Sequence, residues 1–337
     1  MRFLAIIGVI AIHVFQGLSG QNQIFHFKIY GFCEIVRYSV PIFLMLSGAL
    51  LLNRGIEIEF FIKHRLVRII YPFIFYLMLL FFVGLALNNP ISNNIFSQYW
   101  YFWLIIGVYL SIPIINKFIQ QASMKEIEYF LAVFVIGSIF YQCVLVFKFE
   151  QYFDLNFFVA PLGYLILGYY LSIKDFKINP KKLVLLSFLI FVGVTIFKIL
   201  AVGDVIPEKF ILDYSATQSK ILGSWIDVSI FEILQASSLF LFFKNLYENE
   251  GSHFKGFLQI NAVKKGISSV SRASYGMYLC EIIFRRSSMP FFKSLHSSGV
   301  EVCLTIILMV IVISALSWVV VRIFSLIGIT RRFSGYY

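Results

Sequence analysis

His13 stands in the middle of the first apolar run of the chain, with Arg2 at its start and ten residues, Phe3 to Ile12, between them. A charge at bilayer depth costs about 2.5–3.5 kcal/mol or more on insertion scales, so an ionisable group placed there points to a mechanism. Eleven residues make close to three helical turns, which puts both side chains on one face about 16 Å apart. A second such group, Glu281, follows Ser274-Tyr275-Gly276-Met277-Tyr278-Leu279-Cys280 about ten residues inside a later apolar run. A carboxylate at that depth must be protonated, paired or hydrated, and His13 at similar depth is its most economical partner. A carboxylate that orients an imidazole is a general-base arrangement, so His13, Glu281 and Arg2 are the candidate catalytic residues.

Other groups read as binding residues. Arg65 and Arg68 lie three apart in Lys63-His64-Arg65-Leu66-Val67-Arg68, a spacing that on a helix makes a guanidinium pair suited to phosphate oxygens, with Lys63 beside it. The positive-inside bias of membrane proteins produces similar clusters, so topology is the competing explanation. Ser47 and Gly48 are small residues near mid-membrane, either a packing notch or room for a substrate. Arg37, Glu232 and Arg285, with Asp227 and Arg286, are placed to line an outward polar vestibule for a sugar or anionic acceptor, or else to form helix-end ion pairs. Tyr278 joins the substrate-binding set. Cys33, Cys143, Cys280 and Cys303 lack metal-ligand spacing and read as packing thiols, with no metal site and no disulfide framework.

The elements that must position these residues are membrane helices. The chain has 337 residues, of which 60% are hydrophobic and 13% charged, and its mean hydropathy is +0.86. Runs of the length needed to cross about 30 Å of hydrocarbon recur, and barrel-type alternating strands do not. The expected fold is all-α: a polytopic bundle of about ten transmembrane helices near 2–19, 35–52, 69–87, 99–118, 129–147, 157–173, 183–202, 226–247, 271–290 and 301–325. With a cytoplasmic N-terminus, eighteen Lys and Arg fall inside and eight outside, which places both termini in the cytoplasm. The net charge of +11 is spread over short loops, so it reports topology and no nucleic-acid partner. No internal repeat or soluble head is visible, and 1–337 reads as a single integral membrane domain. The first run carries His13 and lacks a small-residue cleavage site, so it reads as a retained helix. Only Met1 precedes Arg2, which leaves a late-assigned start open.

In order and spacing, these segments resemble the acyltransferase-3 family of bacterial membrane O-acyltransferases. The likeness rests on Arg2 and His13; Val40-Pro41-Ile42-Phe43 to Ser47-Gly48; Arg65 and Arg68 followed by Pro72; Trp100-Tyr101-Phe102 with Tyr109 and Pro113; Gly163 with Gly168-Tyr169-Tyr170; and Ser274-Tyr275-Gly276-Met277-Tyr278-Leu279. The resemblance implies transfer of an acyl group, usually acetyl, from cytoplasmic acyl-CoA to a hydroxyl of a cell-surface carbohydrate or lipid-linked sugar precursor. It assigns the family's functional histidine to His13, its partner arginine to Arg2 and its cytoplasmic arginine pair to Arg65 and Arg68. It also implies the bacterial cytoplasmic membrane, acetyl-CoA as co-substrate with no permanently bound cofactor, and leaves room for a homo-oligomer. The chain departs from the family in one place: Glu281 stands where members often have histidine. The competing classes are a secondary transporter or flippase, and a non-catalytic membrane sensor on the same scaffold.

Overall fold

The computed structural model describes residues 1–19, 33–55, 57–86, 98–147, 161–202, 229–248, 253–293 and 299–337. Among these residues the regular elements are helical, and ten of them are long: α1 (Arg2–Ser19), α2 (Ser39–Leu51), α3 (Val67–Ala86), α4 (Trp100–Gln121), α5 (Met124–Phe147), α6 (Pro161–Ile173), α7 (Pro180–Val202), α8 (Ile230–Glu248), α9 (Asn261–Lys293) and α10 (Gly299–Leu326). Each overlaps one of the ten expected spans, and the protein is a polytopic membrane protein. Cys33–Leu51, Ile58–Ala86, Trp100–Gln121, Pro180–Leu200 and Leu304–Leu326 are long and apolar enough to cross a bilayer, and Arg2–Gly17 and Pro161–Ile173 are shorter apolar helices.

The largest boundary differences have a common cause. Helix α9 starts at Asn261, before the expected 271, and α3 is preceded by a helical turn Ile58–Phe61 and a π-helical turn Ile62–Leu66. The α9 extension is polar and the one before α3 interleaves charged with apolar residues, so neither continues the apolar run that the sequence reading followed, whereas backbone hydrogen bonding continues through both; Glu59 and Lys63 support the second extension as an i,i+4 ion pair. Lys28, Lys148, Lys209, Lys220, Asp227 and the outer loop 88–97 lie outside the described residues. So do most of the 202–225 loop and the side chains of Cys143 and Cys303. Cys33 and Cys280 are buried free thiols.

The chain divides into two compact units. The first comprises Met1, His26–Arg54 and Ile115–Val263. Its frame is two helix pairs, α2 on α6 and α7 on α8, with α8 also meeting α6, α2 and α5. Small residues set the closeness of the first pair: a Cβ on Gly48 would collide with the Leu165 carbonyl, and one on Gly168 with the Met45 backbone. In lipid, where apolar contact alone gives helices little reason to associate, such backbone proximity supplies the van der Waals contact. Ser47 is half-buried and its hydroxyl donates to the Phe43 carbonyl of its own helix at 2.9 Å.

The second unit comprises Arg2–Phe25, Gly55–Ile114 and Lys264–Tyr337. Here α1 packs along α10, and a 3-10 turn Arg331–Phe333 packs on α3 and α10. Ala5, Ile6, Val9, Ile10, His13 and Val14 form the buried stripe of α1 at helical spacing, with His13 its polar member.

Candidate active site

The second unit carries the groups that could do chemistry. His13 reaches the unit interior because it lies on the buried stripe of α1, and Glu281 because it shares a face of α9 with Ser274, Met277 and Tyr278, all buried. His13 Nδ1 and Glu281 Oε1 are 2.9 Å apart, with the two residues 8% and 2% exposed. The second carboxylate oxygen, Oε2, accepts from Arg285 Nε at 3.1 Å, one turn further along α9. The guanidinium compensates the carboxylate charge, so Glu281 acts as an acceptor on both oxygens. With Nδ1 engaged by the carboxyl group, Nε2 is the ring nitrogen left to face another group.

Tyrosines wall this pair. The Tyr278 ring lies 6.3 Å from the His13 ring, with Tyr101 and Tyr99 at 5.4 and 6.3 Å from Tyr278 in edge-on contact. The Tyr99 hydroxyl donates to the Leu279 carbonyl at 3.0 Å, which ties the start of α4 to the turn of α9 that bears Glu281. Pattern reading passed over Tyr99; the signal available was its place before Trp100-Tyr101-Phe102, where an aromatic run enters a helix. Of the two readings open for Arg285, a vestibule lining or a helix-end ion pair, the structure shows the ion pair, made with Glu281.

The basic residues expected to bind phosphate differ in exposure and partners. Arg2 is exposed at the start of α1, and Lys63 is exposed and paired with Glu59 at 2.5 Å. The π-helical turn widens the spacing at Arg65, which is half-buried, while Arg68 is exposed with its guanidinium 5.5 Å over the Tyr337 ring. The ideal i,i+3 geometry behind the expected guanidinium pair is therefore interrupted at Leu66.

The first unit holds Arg37 and Glu232, in a buried ionic cluster with two residues that pattern reading did not assign to a site. Glu34 accepts from Arg37 and pairs with Lys198 at 2.9 Å; Lys198 also pairs with Glu232 at 2.6 Å. Gln235 accepts from Lys198 at 3.2 Å and donates to the Glu34 carbonyl and the Thr195 hydroxyl at 2.9 and 2.8 Å. Two acids face two bases, all nearly excluded from solvent. Such a cluster joins the segment before α2 to α7 and α8. Among the described residues no three His, Cys, Asp or Glu side chains gather as metal ligands would.

A buried imidazole with an ionised partner, set in a helical membrane scaffold, is equipped for proton transfer. The acyltransferase-3 family model, described as an acyltransferase domain, matches residues 1–322. The chain belongs to the acyltransferase 3 family. It is a membrane-bound acyltransferase. No curated protein and no solved structure matches the chain. For the acyltransferase, the match covers α1 with His13, Arg65 before α3, Arg68 in its first turn and the Glu281 turn of α9, and it ends before the 3-10 turn.

Proposed function

We propose that this acyltransferase moves an acyl group, acetyl in the first instance, from cytoplasmic acyl-CoA to a hydroxyl of a cell-surface carbohydrate or its lipid-linked precursor, with His13 as general base. The observation that carries the reading is the buried His13–Glu281 hydrogen bond, with Glu281 held on its other oxygen by Arg285. His13 Nε2 takes the hydroxyl proton as the oxygen attacks the thioester carbonyl. The tetrahedral intermediate collapses, the carbon–sulfur bond breaks, and the departing thiolate recovers the proton from the imidazolium. Glu281 stabilises the imidazolium in between, with the buried Tyr278 ring beside His13.

On this reading the N-terminus faces the cytoplasm of a bacterial cell, and Arg68, with Arg65 and Arg2, meets the donor phosphates. Lys63, already paired with Glu59, contributes less. The acceptor approaches from the other side. The test is a comparison of surface glycans by mass from cells with the gene, without it, and with His13→Ala in its place. Loss of one acetyl mass per modified sugar without the gene, not restored by His13→Ala, is expected; full acetylation by a His13→Ala protein sinks the reading.

A further inference from the structure

Residues 334–337, beyond the end of the family match, run back over α3 and α9 within the second unit. The Ser334 carbonyl accepts from the buried Tyr76 hydroxyl at 3.0 Å, and the Tyr337 N–H donates to the Arg272 carbonyl at 3.0 Å. Two glycines let the segment lie flat. Gly335 has φ +70°, a conformation other residues avoid, and a Cβ on Gly276 would strike the Ser334 carbonyl.

The contact with Arg68 is double. Pro72, inside α3, has no N–H to give to the carbonyl four residues back, and that carbonyl belongs to Arg68. The Tyr337 hydroxyl donates into this gap at 2.9 Å, while its ring lies 5.5 Å from the Arg68 guanidinium carbon. Burial pushes the Tyr337 phenol up to about 12 against the opposing pull of Arg68, so it remains a donor through the neutral range. Tyr336 makes the ring half of this contact with Arg322, whose guanidinium carbon lies 5.1 Å from its ring, while its hydroxyl donates to Ser269 at 3.4 Å. No Asp or Glu occurs between Glu301 and Tyr337, whereas Arg331 and Arg332 are both exposed there.

We propose that residues 334–337 are the positioning strap of an anion site for the phosphates of the acyl donor, with Tyr337 fixing Arg68 and Tyr336 fixing Arg322. The proposal rests on reading Arg68 as a donor-phosphate residue. A guanidinium laid against a ring has given up rotamer freedom before the ligand arrives, and its remaining edge still presents paired donors to phosphate oxygens.

The test uses the full chain in detergent with two donors, acetyl-CoA and the acetyl thioester of pantetheine, which has no nucleotide phosphates. Tyr337→Ala should raise KM for acetyl-CoA about five- to tenfold at constant kcat, the scale of one immobilised side chain, and leave KM for the pantetheine thioester in place. Tyr337→Phe, which keeps the ring, should fall between. Gly335→Ala, which displaces the strap without removing an aromatic group, should reproduce the alanine effect and serves if Tyr337→Ala does not fold. Equal changes with both donors, or none with acetyl-CoA, overturn the strap alone. A wild-type enzyme that shows no preference for acetyl-CoA over the pantetheine thioester overturns the reading of Arg68, and the strap with it.

Discussion

His13 and Glu281 are 268 residues apart in the chain and 2.9 Å apart in space. Their hydrogen bond links α1 to α9 within the second unit, and it fixes which imidazole nitrogen is available for chemistry. Glu281→Gln keeps the shape but removes the charge that stabilises the imidazolium. Its kcat should fall at least about 100-fold with KM for acyl-CoA little changed, measured as thioester turnover by the purified protein. A Glu281→Gln enzyme within a few-fold of wild type would show that the carboxylate only fills space.

Arg285 acts through Glu281, so its loss should appear in kcat before KM. Arg285→Ala should slow turnover about 10- to 100-fold, the lower part of the range for a general-base contribution. Arg285→Lys, which keeps a cation one turn from the carboxylate, should recover part of it. Equal damage by both substitutions, with loss of folded protein, would mark Arg285 as purely structural.

The cluster in the first unit gives a stability prediction. Lys198→Met leaves the Glu34 and Glu232 carboxylates without the cation they share. Removal of one partner from a buried ion pair costs about 3–5 kcal/mol, so the thermal midpoint in detergent should drop clearly. Lys198→Arg should lose much less. An unchanged midpoint for Lys198→Met would mean that the acids find another source of compensation.

Gly48→Ala and Gly168→Ala each drive a methyl into the backbone of the opposite helix. Backbone cannot rotate away as a side chain can, so the cost should exceed the usual overpacking range of about 1–3 kcal/mol. The expected readout is a low yield of folded protein, with the double variant worse than either single one. Normal yield from both would show that α2 and α6 separate without penalty.

Much of this was legible in the residues. Apolar run length found the ten helices because the bilayer sets a length that composition must satisfy. Depth counted along those runs paired His13 with Glu281, since both had to be satisfied at one level. The same counting left Arg285 between a vestibule and an ion pair, because depth gives one coordinate and leaves rotation about the helix axis undetermined; its i,i+4 relation to Glu281 points to the pair that forms. Lys198 and Glu34 drew no assignment from spacing, because their partners come from α7 and α8 and from the segment before α2. The Arg68–Tyr337 contact could not be read at all from spacing: it depends on a hydrogen-bond vacancy made by Pro72 and on a distant segment folded back to fill it.

The buried ionic groups balance where they stand, Glu281 against Arg285 in one unit, and Glu34 and Glu232 against Lys198 and Arg37 in the other. A transmembrane voltage does work only on charge carried through it, about 2.3 kcal/mol per elementary charge per 100 mV. In the proposed mechanism the proton that leaves the acceptor hydroxyl for His13 returns to the departing thiolate at the same depth, so no net charge is conveyed between the two faces. On that proposal turnover should be electrically silent, equal in energised and depolarised vesicles, with acyl transfer drawing on the thioester alone rather than on the cell's ion gradients.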